Sequence, residues 1–160
     1  MVKRDLTNPG DILFYKVTSQ SGFRAKIIAM AELFRKEGTG STQYSHVAIC
    51  DWNKDFQFEA VWPKTRISPI DWGNPDVEVW RVKGLSVVQI SKVLVWAGIN
   101  LGKPYDLGQA LLGLFTWSNA YSCAEFVCTA FKEVPIDLAP NAGRFIAPNE
   151  LVSDLIVHIA

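Results

Sequence analysis

The sequence predicts one α+β domain in which a mostly antiparallel sheet packs against segregated helices, and three observations predict it. Short runs rich in branched and aromatic residues, separated by turn residues, crowd the stretch from residue 44 to 82. Apolar residues at helical spacing dominate from residue 86 to 134. No internal repeat, low-complexity run or Pro/Gly/Ser linker divides the 160 residues, so 1–160 read as a single domain. Hydrophobic residues make up 49% and charged residues 20%, a globular composition rather than a disordered one.

Taken in order, Asn8-Pro9-Gly10 is turn chemistry and Asp11 to Val17 suits a first strand. From Phe23 to Lys36, Phe23, Ile27, Ala31 and Phe34 recur at helical spacing, with Ser19 or Ser21 as a start cap and Gly38 at the end. Ser45 to Asp51 and Phe56 to Trp62 form an antiparallel hairpin about Asn53-Lys54. Arg66 to Ile70 and Val77 to Val82, either side of a turn at Gly73-Asn74-Pro75, extend it into a meander of four or five strands. Ser86 caps a helix whose apolar positions include Val87, Ile90, Leu94, Ala97 and Leu101, with Gly102 as its stop. A second helix covers Leu107 to Phe115, and a third runs from Cys123 to about Val134, stopped by Pro135. Pro148 to Leu151 makes one helical turn capped by Asn149, and Leu155 to Ile159 is a last strand.

Sixteen basic residues balance sixteen acidic ones without a block of either sign, which argues against nucleic acid as the partner. Three cysteines without regular spacing make no disulfide framework, and the polar start lacks a signal peptide's apolar stretch, so a reduced, cytoplasmic protein is expected. The apolar stretches Val93 to Leu101 and Leu107 to Trp117 are shorter than the roughly 18 residues a spanning helix needs, and Lys103-Pro104 separates them. No transmembrane segment is expected, although six Trp leave a greasy substrate groove open beside core packing.

Ser122-Cys-Ala-Glu125 fits the S-x-x-E capping box, which puts Cys123 at the first helical position. There the unpaired N–H groups and the positive helix end favour a thiolate, the nucleophilic form. Cys50, alternating within a strand, and Cys128, aligned with Ala124 and Phe131, read as small core residues. His46 lies in one strand of the hairpin, and the facing strand places Glu59 in an otherwise apolar run where a carboxylate needs a partner. If Asp51 faces Lys54, His46 lies opposite Glu59; if Trp52 faces Asp55, the two are diagonal neighbours on one face. A one-residue slip would separate them, but it would also take Phe56, Phe58 and Trp62 off the face of Val47 and Ile49. Thiol, imidazole and carboxylate make the nucleophile, base and orienter of triad chemistry. No C-x-x-C or H-E-x-x-H spacing supports a zinc site built on His46, Cys50, Cys123 or His158, so no metal or cofactor is expected. His158, near the terminus, reads as an edge or surface residue.

Six strings in this order resemble one family: Gly10-Asp-Ile-Leu-Phe14, Tyr44-Ser-His-Val-Ala-Ile49, Phe58-Glu-Ala60, Gly102-Lys-Pro-Tyr-Asp106, Tyr121-Ser-Cys-Ala-Glu-Phe-Val127 and Pro148-Asn-Glu-Leu151. Their order, with histidine before cysteine, is similar to that of the circularly permuted NlpC-type papain-like cysteine amidases, the YiiX-like branch. The resemblance implies a permuted papain-like fold, with a sheet carrying histidine and glutamate against a helix headed by cysteine. It carries catalytic roles onto Cys123, His46 and Glu59. The implied chemistry is hydrolysis of an amide in a small peptide-like or peptidoglycan-fragment substrate, through a thioester and without a cofactor. Alternatives are acyl hydrolysis or transfer on a lipid-like substrate, and a non-catalytic binding relative. Tyr105 and Tyr121 are the candidates for an oxyanion donor beside the Cys123 backbone N–H, or else aromatic packing residues.

Overall fold

Six strands form one antiparallel sheet in the computed structural model, which describes residues 3–17, 44–106, 119–140 and 146–160. They are β1 (Ile12–Lys16), β2 (Tyr44–Cys50), β3 (Phe56–Val61), β4 (Lys64–Pro69), β5 (Val77–Val82) and β6 (Ile156–His158), in the spatial order β4-β3-β2-β1-β5-β6. The described helices are a short α1 (Lys3–Leu6), α2 (Val87–Ile99) and α3 (Cys123–Lys132), with a 3-10 turn at Pro148–Leu151. The helices expected over 23–36 and 107–115 lie outside the described residues. No described helix is long and apolar enough to cross a membrane.

The expected meander holds for β1 to β4 and then breaks. β5 crosses the sheet to pair with β1, Leu13 opposite Val79, rather than continuing beside β4. The reason is burial: Ile12, Leu13 and Phe14 have no exposed surface, so the backbone of β1 needs partners along both edges. β6 then pairs with β5 and forms the sheet edge, where His158 is about half exposed, its ring 5.0 Å from that of Trp80. The short α1 has no counterpart among the expected elements; its Lys3 ammonium donates to the Val77 carbonyl.

Period-two alternation separates the faces of the sheet. Ile12, Phe14, Val47, Ile49, Phe58 and Ala60 pack with Val93, Leu94 and Ala97 of α2 and with Ala124, Val127 and Phe131 of α3. Leu13, Ala48, Cys50, Val77 and Val79 form a smaller cluster on the other face. Both long helices begin with a complete capping box: Ser86 with Gln89 for α2, Ser122 with Glu125 for α3. Val87 and Leu101, expected on the buried stripe of α2, are exposed, because one is the first helical residue and the other lies past the cap at Asn100. Asn149 is likewise not the cap of its turn. Ala147 holds that position, its N–H donating to the Glu150 carboxylate, while the Asn149 side-chain oxygen accepts from the backbone N–H of Tyr44 and ties the start of β2.

Candidate active site

The register between β1 and β2 slips at one point. Tyr15 pairs with His46 but Lys16 pairs with Tyr44, so Ser45 is an extra residue on β2. Such a bulge turns the strand and re-aims its side chains. Here it sends Tyr44 into the helix-side core against Phe14, while His46 keeps its pairing with Tyr15. The β2–β3 ladder pairs Ile49 with Phe58 and Cys50 with Gln57. Of the two registers compatible with contact, this is the one with Trp52 facing Asp55, which makes His46 and Glu59 diagonal neighbours. His46 lies past the end of that paired stretch, where it reaches both Glu59 and Cys123 at the head of α3.

His46 Nε2 is 2.8 Å from Glu59 Oε2, and Cys123 acts on the same imidazole. The structure thus brings together all three residues singled out from the sequence. Glu59 is 4% exposed, and a buried carboxylate of this kind requires donors. It has four. His46 Nε2 and Gln57 Nε2, the latter at 3.3 Å, address Oε2, while Arg66 Nε and Ser68 Oγ each address Oε1 at 2.8 Å. Burial by itself would raise this carboxyl, but the hydrogen bond and charge of His46, with the donors Arg66 and Ser68, outweigh it and hold it down at about 2. Burial likewise opposes the imidazolium of His46, yet its hydrogen bonds to Cys123 and Glu59, and their charges, push it up to about 10. The arrangement favours a charged imidazolium beside the Glu59 carboxylate.

Tyr15, Gln57, Arg66 and Ser68 were not singled out from the sequence. Tyr15 packs its ring 5.3 Å from that of His46 and donates to Gln57 Oε1 at 2.6 Å. Arg66 and Ser68, on β4, pair with Glu59 and Gln57 of β3. The signal that could have found them is the tight connection at Trp62-Pro63, which folds β4 directly back on β3.

Tyr105 and Tyr121 bridge one another along the backbone. Tyr121 stacks edge-on with Trp96 and Phe126, and its hydroxyl lies 3.5 Å from Asn100 Oδ1; Tyr105 is buried in the helix-side core. Tyr121 thus packs its ring among aromatic side chains. Cys50 and Cys128 are core residues, and burial pushes each thiol up to about 12. Among the described residues, no group of three or more His, Cys, Asp and Glu side chains is arranged to hold a metal ion.

No family model and no curated protein matches the chain. Among solved structures, its fold is similar to that of an α+β protein from a bacterium. That protein is the metalloprotein YiiX from Escherichia coli O157:H7, DUF1105, with a TM-score of 0.69 and 24% identity over 97% of each chain. The likeness is one of fold over nearly the full length of both chains.

Proposed function

We propose that this chain is a cysteine hydrolase of the circularly permuted, papain-like NlpC type, cleaving an amide in a small peptide-like or peptidoglycan-fragment substrate. The observation that carries the reading is the line Cys123, His46, Glu59, in which a sulfur at a capped helix start and a buried carboxylate hold one imidazole between them. The thiolate attacks the substrate carbonyl; a sulfur–carbon bond forms and the π pair moves to oxygen, where the Cys123 backbone N–H, which at the first helical position has no intrahelical acceptor, receives it. Collapse breaks the C–N bond, the pair leaves on nitrogen and His46 supplies the proton. Water then attacks the thioester with His46 taking its proton, which releases the acid and restores the imidazolium and thiolate.

The fold relative is described as a metalloprotein. Among the described residues of this chain no group of three or more His, Cys, Asp and Glu side chains is arranged to hold a metal ion, and no step is routed through one. A second reading, acyl-ester hydrolysis or transfer on a lipid-like substrate by the same three residues, is favoured by the exposed Val88, Val95 and Ile99 along α2. The test is a screen of peptide amides and acyl esters with folded wild-type, Cys123→Ala and His46→Ala protein. Each variant should lose about a thousandfold or more in turnover. Undiminished turnover in Cys123→Ala removes the mechanism; turnover on esters alone selects the second reading.

A further inference from the structure

We infer that Arg66 is a positioning residue of this site: it holds the far oxygen of the Glu59 carboxylate and balances its charge, so that His46 can gain and lose a proton without leaving that carboxylate uncompensated. The catalytic consequence rests on the reading above, whereas the electrostatic claim stands on geometry alone. Arg66 is the strand partner of Glu59 across β3 and β4, and its Nε lies 2.8 Å from Oε1. Ser68, on the same oxygen, and Gln57, on the other, donate hydrogen bonds but carry no charge. Of the four donors, only His46 and Arg66 bring positive charge to this buried acid.

The two cations differ in kind. His46 changes charge during an acid–base cycle; a guanidinium does not. When His46 hands its proton to a leaving nitrogen, a carboxylate paired with it alone would become an unpaired buried anion, the costly case. With Arg66 in place, the Glu59–Arg66 pair stays neutral overall, and the pull of Glu59 on the imidazolium proton is weakened. Arg66 is 52% exposed, so its own desolvation is small and removal of its head group leaves the core untouched. Among the described residues, the titratable and charged groups facing His46 and Glu59 are Tyr15 from β1, Arg66 from β4 and Cys123 from α3; Tyr15 is in turn under the influence of Asp71 and Cys50.

The chain has two histidines, so the imidazole signals of His46 and His158 can be followed separately by NMR. The measurement is the His46 titration in a Cys123→Ala background, which removes coupling to the thiol. Arg66→Gln should move the His46 midpoint upward by about half a unit or more, because a nearby like charge is lost and Glu59 acts on the imidazolium undivided. Arg66→Lys should restore most of the parent midpoint. Lys64→Gln, which removes an exposed charge two residues away on β4, should move it much less. A His46 midpoint in Arg66→Gln within ~0.2 units of the parent, or an equal shift in Lys64→Gln, overturns the inference. Neither result depends on turnover, so an unsuccessful substrate screen and an unsuccessful titration remain separate findings.

Discussion

The three cysteines differ in what surrounds each sulfur. Cys50 faces the small cluster of Leu13, Ala48 and Val79, and Cys128 faces the core beneath α3; burial holds both thiols up at about 12. Cys123 alone pairs with an imidazole. Iodoacetamide at neutral pH should therefore modify Cys123 first in folded protein, and peptide mapping that finds Cys50 or Cys128 labelled faster counts against its activation. Glu59→Gln should keep measurable turnover while Cys123→Ala does not, since glutamine preserves a hydrogen-bonding oxygen but loses the charge that supports the imidazolium. Full turnover in Glu59→Gln would remove the orienting role alone. His46 and Glu59 were legible in the sequence because strand alternation and the burial of Val47, Ile49 and Phe58 exclude the one register shift that would part them. Arg66 was not legible. Its contact depends on β4 folding straight back on β3 at Trp62-Pro63, and a strand pattern at Arg66 to Ile70 does not itself name its neighbour.

At the level of elements, the site needs one helix start and one strand irregularity. The helix start was legible, because a capping box is written in four consecutive residues. The bulge at Ser45 was not, since it is defined only by pairing with β1, thirty residues earlier in the chain. The position of β5 escaped for the same reason: what draws it to β1 is the complete burial of Ile12 to Phe14, a property of the assembled sheet. The capping boxes at Ser86 and Ser122 allow the roles of the cap to be separated. Ser122→Ala and Ser86→Ala should each cost about 1 kcal/mol, read as a drop of a few degrees in the melting temperature. Only Ser122→Ala should also slow alkylation of Cys123, because its box orders the turn that contains the sulfur. Equal alkylation rates in the two variants would mean that the cap serves stability alone.

Across the whole molecule, the buried charge at Glu59 couples the site to the stability of the sheet. Its four donors come from β2, β3 and β4, so protonating the carboxylate weakens contacts across half the sheet. The sign follows from the two states. Glu59 titrates at about 2 in the folded protein and at the ordinary 4.5 once unfolded, so between these values the unfolded chain binds more protons. The stabilisation is thus present above pH 4.5 and is lost as pH falls toward 2. His46 acts in the opposite sense: raised to about 10 when folded against an ordinary 6.5, it adds stability below pH 6.5 that is lost as pH climbs through 10. Both contributions are in force together between about pH 4.5 and 6.5, where the protein should be most resistant to denaturant. In Glu59→Gln the fall in stability from pH 4.5 to 2 should become shallower, and the fall above pH 6.5 should shrink as well, because the imidazolium has lost its carboxylate partner. Urea midpoints measured across this range in wild type and Glu59→Gln test both limbs. Parallel curves would mean that the charge of Glu59 is not linked to folding.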